Sequence, residues 1–182
     1  MAFLTAGESV DRMATYCRIE QLQFGLLGGW VTDLAEPTAK LVMLSTADHC
    51  AWRAQRWFEM LPTAPPGPDA LLTGTLSELE VFSRLATAVG TSQGARLVVA
   101  YRMLLPTLLG ALIAHLESTT AVADAPVRRI LGIAITDLEN DLSAANGPTD
   151  LVLARPEERL WAEQSEAQLV AATSGIEQLL QF

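Results

Sequence analysis

Apolar residues recur every three or four positions along most of this chain, the spacing that lines up one face of an α-helix. On the first such face stand Met13, Tyr16, Cys17, Phe24, Leu27 and Val31. The same periodicity predicts helices over about 8–33, 37–61, 76–89, 95–122, 124–145 and 156–181, cut by local breakers. Pro37 suits the first turn of the second helix, and the proline-rich run from Pro62 to Pro68 forms a surface loop after it. Thr75 and Glu78 have capping-box spacing for a short helix. Pro106 falls inside the third long helix and removes a hydrogen bond there, leaving the Arg102 carbonyl free. Asp124 and Pro126 start the fourth, which Asn146-Gly147-Pro148 should stop near Ala145. Pro156 with Glu157 and Glu158 opens a last amphipathic helix. Period-two alternation and hairpin dipeptides are missing, so the chain is all-α, a single domain over residues 1–182.

One residue breaks the apolar pattern where it matters. Glu20 shares the first helical face with Tyr16, Cys17 and Leu27, and an ionised carboxylate is costly to bury without a cation, a metal or several hydrogen bonds. Whatever faces Glu20 is therefore the first place to look for function.

Composition narrows the field. Of 182 residues, 50% are hydrophobic, and the mean hydropathy of +0.27 is high enough to expect a second copy to cover some apolar surface, giving a homodimer. Twenty-one acidic against twelve basic residues give a net charge of −9, which disfavours nucleic acid and anionic membrane as partners. Residues 97–114 are mostly apolar, but they include Arg102 and Pro106 and fall short of a usual span, so they read as a helix buried in a bundle. Cys17 and Cys50 sit in apolar helical contexts and read as buried thiols; with no signal-peptide pattern at the start, the expected compartment is the cytoplasm. Phosphate loop, dinucleotide fingerprint, Gly-x-Ser-x-Gly elbow and Cys-x-x-Cys pair are all missing.

Residues 18–61, carrying Glu20 and the Arg53-Ala54-Gln55-Arg56 turn, resemble the first helical pair of ferritin-like proteins, and residues 101–145 resemble the second. The resemblance implies a ferritin-like four-helix bundle, here with a short linker helix and an extra C-terminal helix. Metal-binding members take a Glu from each of two helices and a Glu-x-x-His pair from each of the other two. Glu20 matches the first ligand. Arg53 stands at a histidine position and Cys50 at a glutamate position; Leu138 and Asp141 fall where a Glu and a His belong. The third helix offers only leucines in its middle turns, and Glu117 lies too near its end. A guanidinium cannot shed its proton to bind metal, so the resemblance implies a bundle that has lost its metals, with neither metal nor other cofactor.

Counting back from the two expected turns places Glu20 level with Ala51, beside His49, Trp52 and Arg53, and sets Asp137 and Asp141 level with Gly110 and Pro106. This predicts an ionic cluster of Glu20 and Asp141 against Arg53, with His49 alongside. As a catalytic set, Glu20 would act as acid or base, His49 as its proton partner and Arg53 as an anion stabiliser, with Asp141 beside them. Tyr16, Trp52, Tyr101 and Asp137 would line a site for a hydrophobic small molecule. Asp48 shares a face with Leu41, Leu44 and Trp52; His115, Trp30, Trp57 and Trp161 read as structural. Three readings follow: a metal-free enzyme of specialised metabolism performing a cyclisation, isomerisation, elimination or addition; a non-catalytic bundle that partners another subunit; and an oxidoreductase holding one metal on Glu20, His49, Asp48, Asp137 and Asp141.

Overall fold

The protein is described by a computed structural model covering residues 4–65, 67–74 and 76–182. Its helices are α1 (Ala6–Val31), α2 (Pro37–Met60), a single turn α3 (Pro68–Leu71), α4 (Leu76–Ala88), α5 (Gln93–Glu117), α6 (Ala125–Leu153) and α7 (Pro156–Leu179). No strand occurs among the described residues.

Four long helices make the bundle. The α1–α2 hairpin is antiparallel, tied where the Cys17 thiol donates to the Ala54 carbonyl at 3.2 Å. Helix α5 also runs against α1, since the Leu4 amide donates to Ser118 O at 3.3 Å and Tyr16 Oη to Ala111 O at 3.4 Å. Helix α6 returns beside α5 and packs antiparallel along α2. The chain thus runs up, down, down, up, and residues 61–92 carry it back from one end of the bundle to the other. That crossover is fastened by Arg18 of α1, which donates to both carboxylate oxygens of buried Glu78 and to the Leu71 carbonyl. Helix α7 lies on α4 and on the start of α5. A Cβ at Gly175 would meet Val81 at 2.7 Å, so only glycine permits this close approach of α7 to α4.

Local chemistry explains most boundaries. Thr5 and Glu8 form a capping box, so α1 starts two residues before the periodic pattern does. Glu36 caps α2, and Pro37 fills its first turn as expected. Thr75, the expected cap of α4, lies outside the described residues. Two prolines behave differently from their sequence reading. Before Pro106, helix α5 widens into a π turn, Val99–Leu104, in which the Leu105 amide reaches back five residues to Ala100. Pro106 then sits in the first turn of the α segment that follows, where a missing amide costs little. Pro148 does not stop α6, which continues to Leu153. Val152, one turn beyond the proline, is fully buried, and this apolar packing outweighs the hydrogen bond that proline removes.

The buried seam of α1 also departs from the pattern. Phe24 is 48% exposed, while polar Gln23 takes its place inside. Gln93–Glu117 is the one helix among the described residues long and apolar enough to cross a membrane; 44% of its most apolar stretch is buried, and it packs on α6 and α7 and meets α1 through Tyr16 and Ser9.

Where α5 crosses α1, His115 is fully buried, its Nε2 at 3.4 Å from Ser9 Oγ and its ring stacked at a tilt against Tyr16. Burial, and secondarily the charge of Arg12, push the imidazole down from its ordinary value to about 4. The fold therefore prefers neutral His115. Its contribution to stability is complete above the ordinary histidine value and is lost as pH falls from there toward about 4. Chemical denaturation at pH 7 and pH 4.5 should show His115→Phe losing about 2–3 kcal/mol less than the parent on acidification. An equal loss in both proteins would refute this role.

Candidate functional site

The described structure gathers five of the singled-out side chains at one level, between α1, α2 and α6. Arg53 projects from α2 into the bundle and is fully enclosed. Its Nε donates to Glu20 Oε1 at 2.6 Å and its Nη2 to Glu20 Oε2 at 3.1 Å, a two-pronged pair in which neither side chain is exposed. On the other side, Nη1 donates to Asp137 Oδ2 at 2.5 Å and to Asp141 Oδ2 at 3.1 Å. Asp137 and Asp141 stand four apart on α6, so one guanidinium group meets both from the facing helix. Nη2 also donates to Cys50 Sγ at 3.3 Å, and that thiol points at Gln23 Oε1 at 3.8 Å.

The network grades from sealed to open. Glu20 has no exposed surface, and the Asp141 side chain has 5%. His49, with 39% of its side chain exposed, and Asp137, with 26%, form the edge that solvent reaches. His49 Nδ1 lies 2.7 Å from Asp141 Oδ1 and 3.8 Å from Asp137 Oδ1, and its Nε2 lies 3.5 Å from Ser45 Oγ. Beside this edge runs a groove of about 300 Å³ between α2 and α6, walled by Leu41, Val42 and Ala144 and bearing Ser45, Thr46 and Asn140.

Burial raises the Glu20 carboxyl while Arg53 pulls it down, and burial is the larger influence. Arg53 is held above its ordinary value, because Glu20 and its other acceptors outweigh the desolvation of the guanidinium. Cys17 is pushed up to about 11 and Cys50 well above the ordinary thiol range, both chiefly by burial, so neither is a ready thiolate.

The remaining candidates lie elsewhere. Tyr101 is next to the cluster, its hydroxyl 3.0 Å from Thr46 Oγ1 and buried. Tyr16 is not in the ionic cluster; one helical turn before Glu20, it packs against Trp57 and His115. Trp52 is 45% exposed and lies under the Arg56 guanidinium, facing out of the bundle. Asp48 is exposed on the same outer face, and Glu117 is exposed at the end of α5. Ser45 and Asn140 were not singled out in the sequence. The four-residue step from Ser45 to His49 was visible there, but the facing helix that gives it meaning was not.

A dinuclear metal centre does not fit these residues. Both oxygens of Glu20 already accept from Arg53, the guanidinium fills the space between the helices, and α5 presents Leu105, Leu108 and Leu112 to the core. For a single ion, one set of donors occurs among the described residues: His49, Asp137 and Asp141 offer atoms all within 4.8 Å of one another. Compared with known proteins, the chain matches no family model, no curated protein and no solved structure.

Breaking a buried pair strands the surviving charge, a loss of about 3–5 kcal/mol. Glu20→Gln and Arg53→Met should each destabilise the protein by that order in urea unfolding. The Glu20→Met, Arg53→Met double variant should lose clearly less than the sum of the single losses, because the two groups answer each other. Strict additivity would show that the pair is not coupled.

Proposed function

We propose that this chain is a ferritin-like bundle in which an ionic cluster stands where metal-binding members keep their metals. In this reading it is a cytoplasmic enzyme of specialised metabolism that works by acid–base chemistry, without metal or other cofactor. The observation carrying the proposal is the 2.7 Å hydrogen bond between His49 Nδ1 and buried Asp141, where the cluster borders the groove between α2 and α6. Glu20 and Arg53 then serve as the fixed interior: Arg53 holds Asp141, and Asp141 fixes the tilt of the imidazole and supports its charge when it takes a proton. A small apolar substrate would lie along Leu41, Val42 and Ala144, with its reacting atom near His49 Nε2. Cyclisation, isomerisation, elimination and addition all suit such a site, since each moves a proton without needing an electron carrier.

Metabolite profiles of cells producing the parent or His49→Gln provide the test. A substrate–product pair that converts only with the parent is the expected result. Identical profiles would leave the chain as a non-catalytic partner, a reading favoured by the complete enclosure of Glu20 and Arg53.

The three converging donor atoms favour one further reading, a single divalent ion at His49, Asp137 and Asp141. Elemental analysis of protein purified without chelators should find no stoichiometric metal. Iron, manganese or zinc near one equivalent, lost in His49→Ala, would replace the metal-free reading.

The proposal includes a homodimer, with exposed Leu151 on α6 and Leu160 and Val170 on α7 as its apolar contact. Sedimentation at micromolar concentration should give twice the chain mass, and Leu160→Glu should halve it; a parent that is monomeric there would remove the dimer.

A further inference from the structure

We infer that Ser45 is a nucleophile and that the groove carries out acyl transfer, cleaving a short-chain carboxylic ester or thioester. The inference rests on the reading of His49 as the proton carrier and goes beyond the four reaction types proposed for it.

Nucleophilic serine needs a base within reach of its hydroxyl and a third group to orient that base. All three are here in order: Ser45 Oγ lies 3.5 Å from His49 Nε2, and His49 Nδ1 lies 2.7 Å from Asp141 Oδ1. The first distance is loose, as such contacts often are before substrate tightens them. The series also runs from exposed to buried, with Ser45 at the surface, His49 part exposed and Asp141 enclosed. Asp141 is braced in turn by Arg53 Nη1 at 3.1 Å, which keeps a negative charge beside the imidazole when it becomes cationic. The rival nucleophiles are weak candidates, since burial holds both cysteines protonated.

The surroundings fit a small acyl group. Helices α2 and α6 run antiparallel, with His49 opposite Asp141, so one turn further along Ser45 comes opposite Ala144 and Ala145. Of these Ala144 lines the groove and its small side chain leaves the hydroxyl room, and the groove of about 300 Å³ has apolar walls at Leu41 and Val42. Because Ser45 lies in the middle of a helix, its neighbouring amides are committed to helical hydrogen bonds. The negative oxygen must therefore be met by a side chain, and the Asn140 amide lines the same groove.

The steps balance without any oxidant. Ser45 Oγ forms a bond to the carbonyl carbon while its proton passes to His49 Nε2, and the carbonyl oxygen takes the negative charge. The carbonyl re-forms as the C–O or C–S bond breaks, and the alcohol or thiol leaves with the proton from His49. Water then adds to the acyl-serine, giving its proton to His49, and the acid departs as that proton returns to Ser45.

The test uses the full chain with a fluorophosphonate probe, followed by intact mass and peptide mapping, alongside hydrolysis of p-nitrophenyl acetate and octanoate. One adduct per chain on Ser45 is expected. Labelling should vanish in Ser45→Ala and slow by about 100-fold or more in His49→Gln. Acetate should be cleaved in preference to octanoate, and Ala144→Leu, which narrows the groove while leaving Ser45 and His49 in place, should slow labelling. An adduct elsewhere, no adduct, or labelling of Ser45 indifferent to His49→Gln would overturn the inference. Conversion of the profiled metabolite that survives Ser45→Ala but not His49→Gln would also overturn it, leaving the acid–base reading intact. Conversion that survives both changes would remove both.

Discussion

A single guanidinium carries the arrangement of this bundle. Arg53 has no exposed surface and donates to carboxylates on two other helices, Glu20 on α1 and the Asp137–Asp141 pair on α6. The planar group suits the task, since its fork of N–H donors can meet a carboxylate on either side at once, which a lysine cannot do. Each partner is costly to bury alone, so the three helices can pack closely here only in the register that brings the four groups together. Apolar packing alone would tolerate neighbouring registers. The ion pairs select one, as buried polar groups do in some coiled coils.

That choice shapes the chemistry available. The cluster holds three carboxylates against one guanidinium, and of the three Asp137 is the one that solvent reaches, beside His49. The interior end is closed, with Glu20 saturated and enclosed. The accessible side chains of the cluster therefore lie at its edge, away from the carboxylate that the sequence makes most conspicuous. Helix α5 contributes no charge to the cluster. Its leucines complete the apolar side of the bundle, and its π turn places Tyr101 against Thr46, next to the site without entering the ionic network.

Much of the fold was legible because helices announce themselves by period and breaker residues. Pro37, Pro156 and the loop after Pro62 lie where the sequence puts them. The errors arise where tertiary packing overrides a local rule. Pro148 should end α6, yet burial of Val152 carries the helix past it, and Gln23 takes the interior place that Phe24 should hold. Counting from turns placed Glu20 beside Arg53 and His49, and the resemblance to ferritin-like bundles set Asp141 against them; Asp137, expected to line a substrate site, instead pairs with Arg53. Trp52 lies near the same level but faces out, because level does not specify which way a side chain points, and Tyr16 shares the buried face of Glu20 but sits one turn away. Ser45 and Asn140 escaped notice for a related reason: their significance lies in the contact between α2 and α6, which neither helix alone reveals.

The account stands on Arg53 being locked in the interior, and its side-chain hydrogens report on that directly. Nitrogen-detected exchange of arginine Nε–H groups by NMR should find the Arg53 proton persisting until the whole protein unfolds, while that of exposed Arg159 exchanges at once. An Arg53 Nε–H that exchanges as fast as Arg159 in the folded protein would contradict the account.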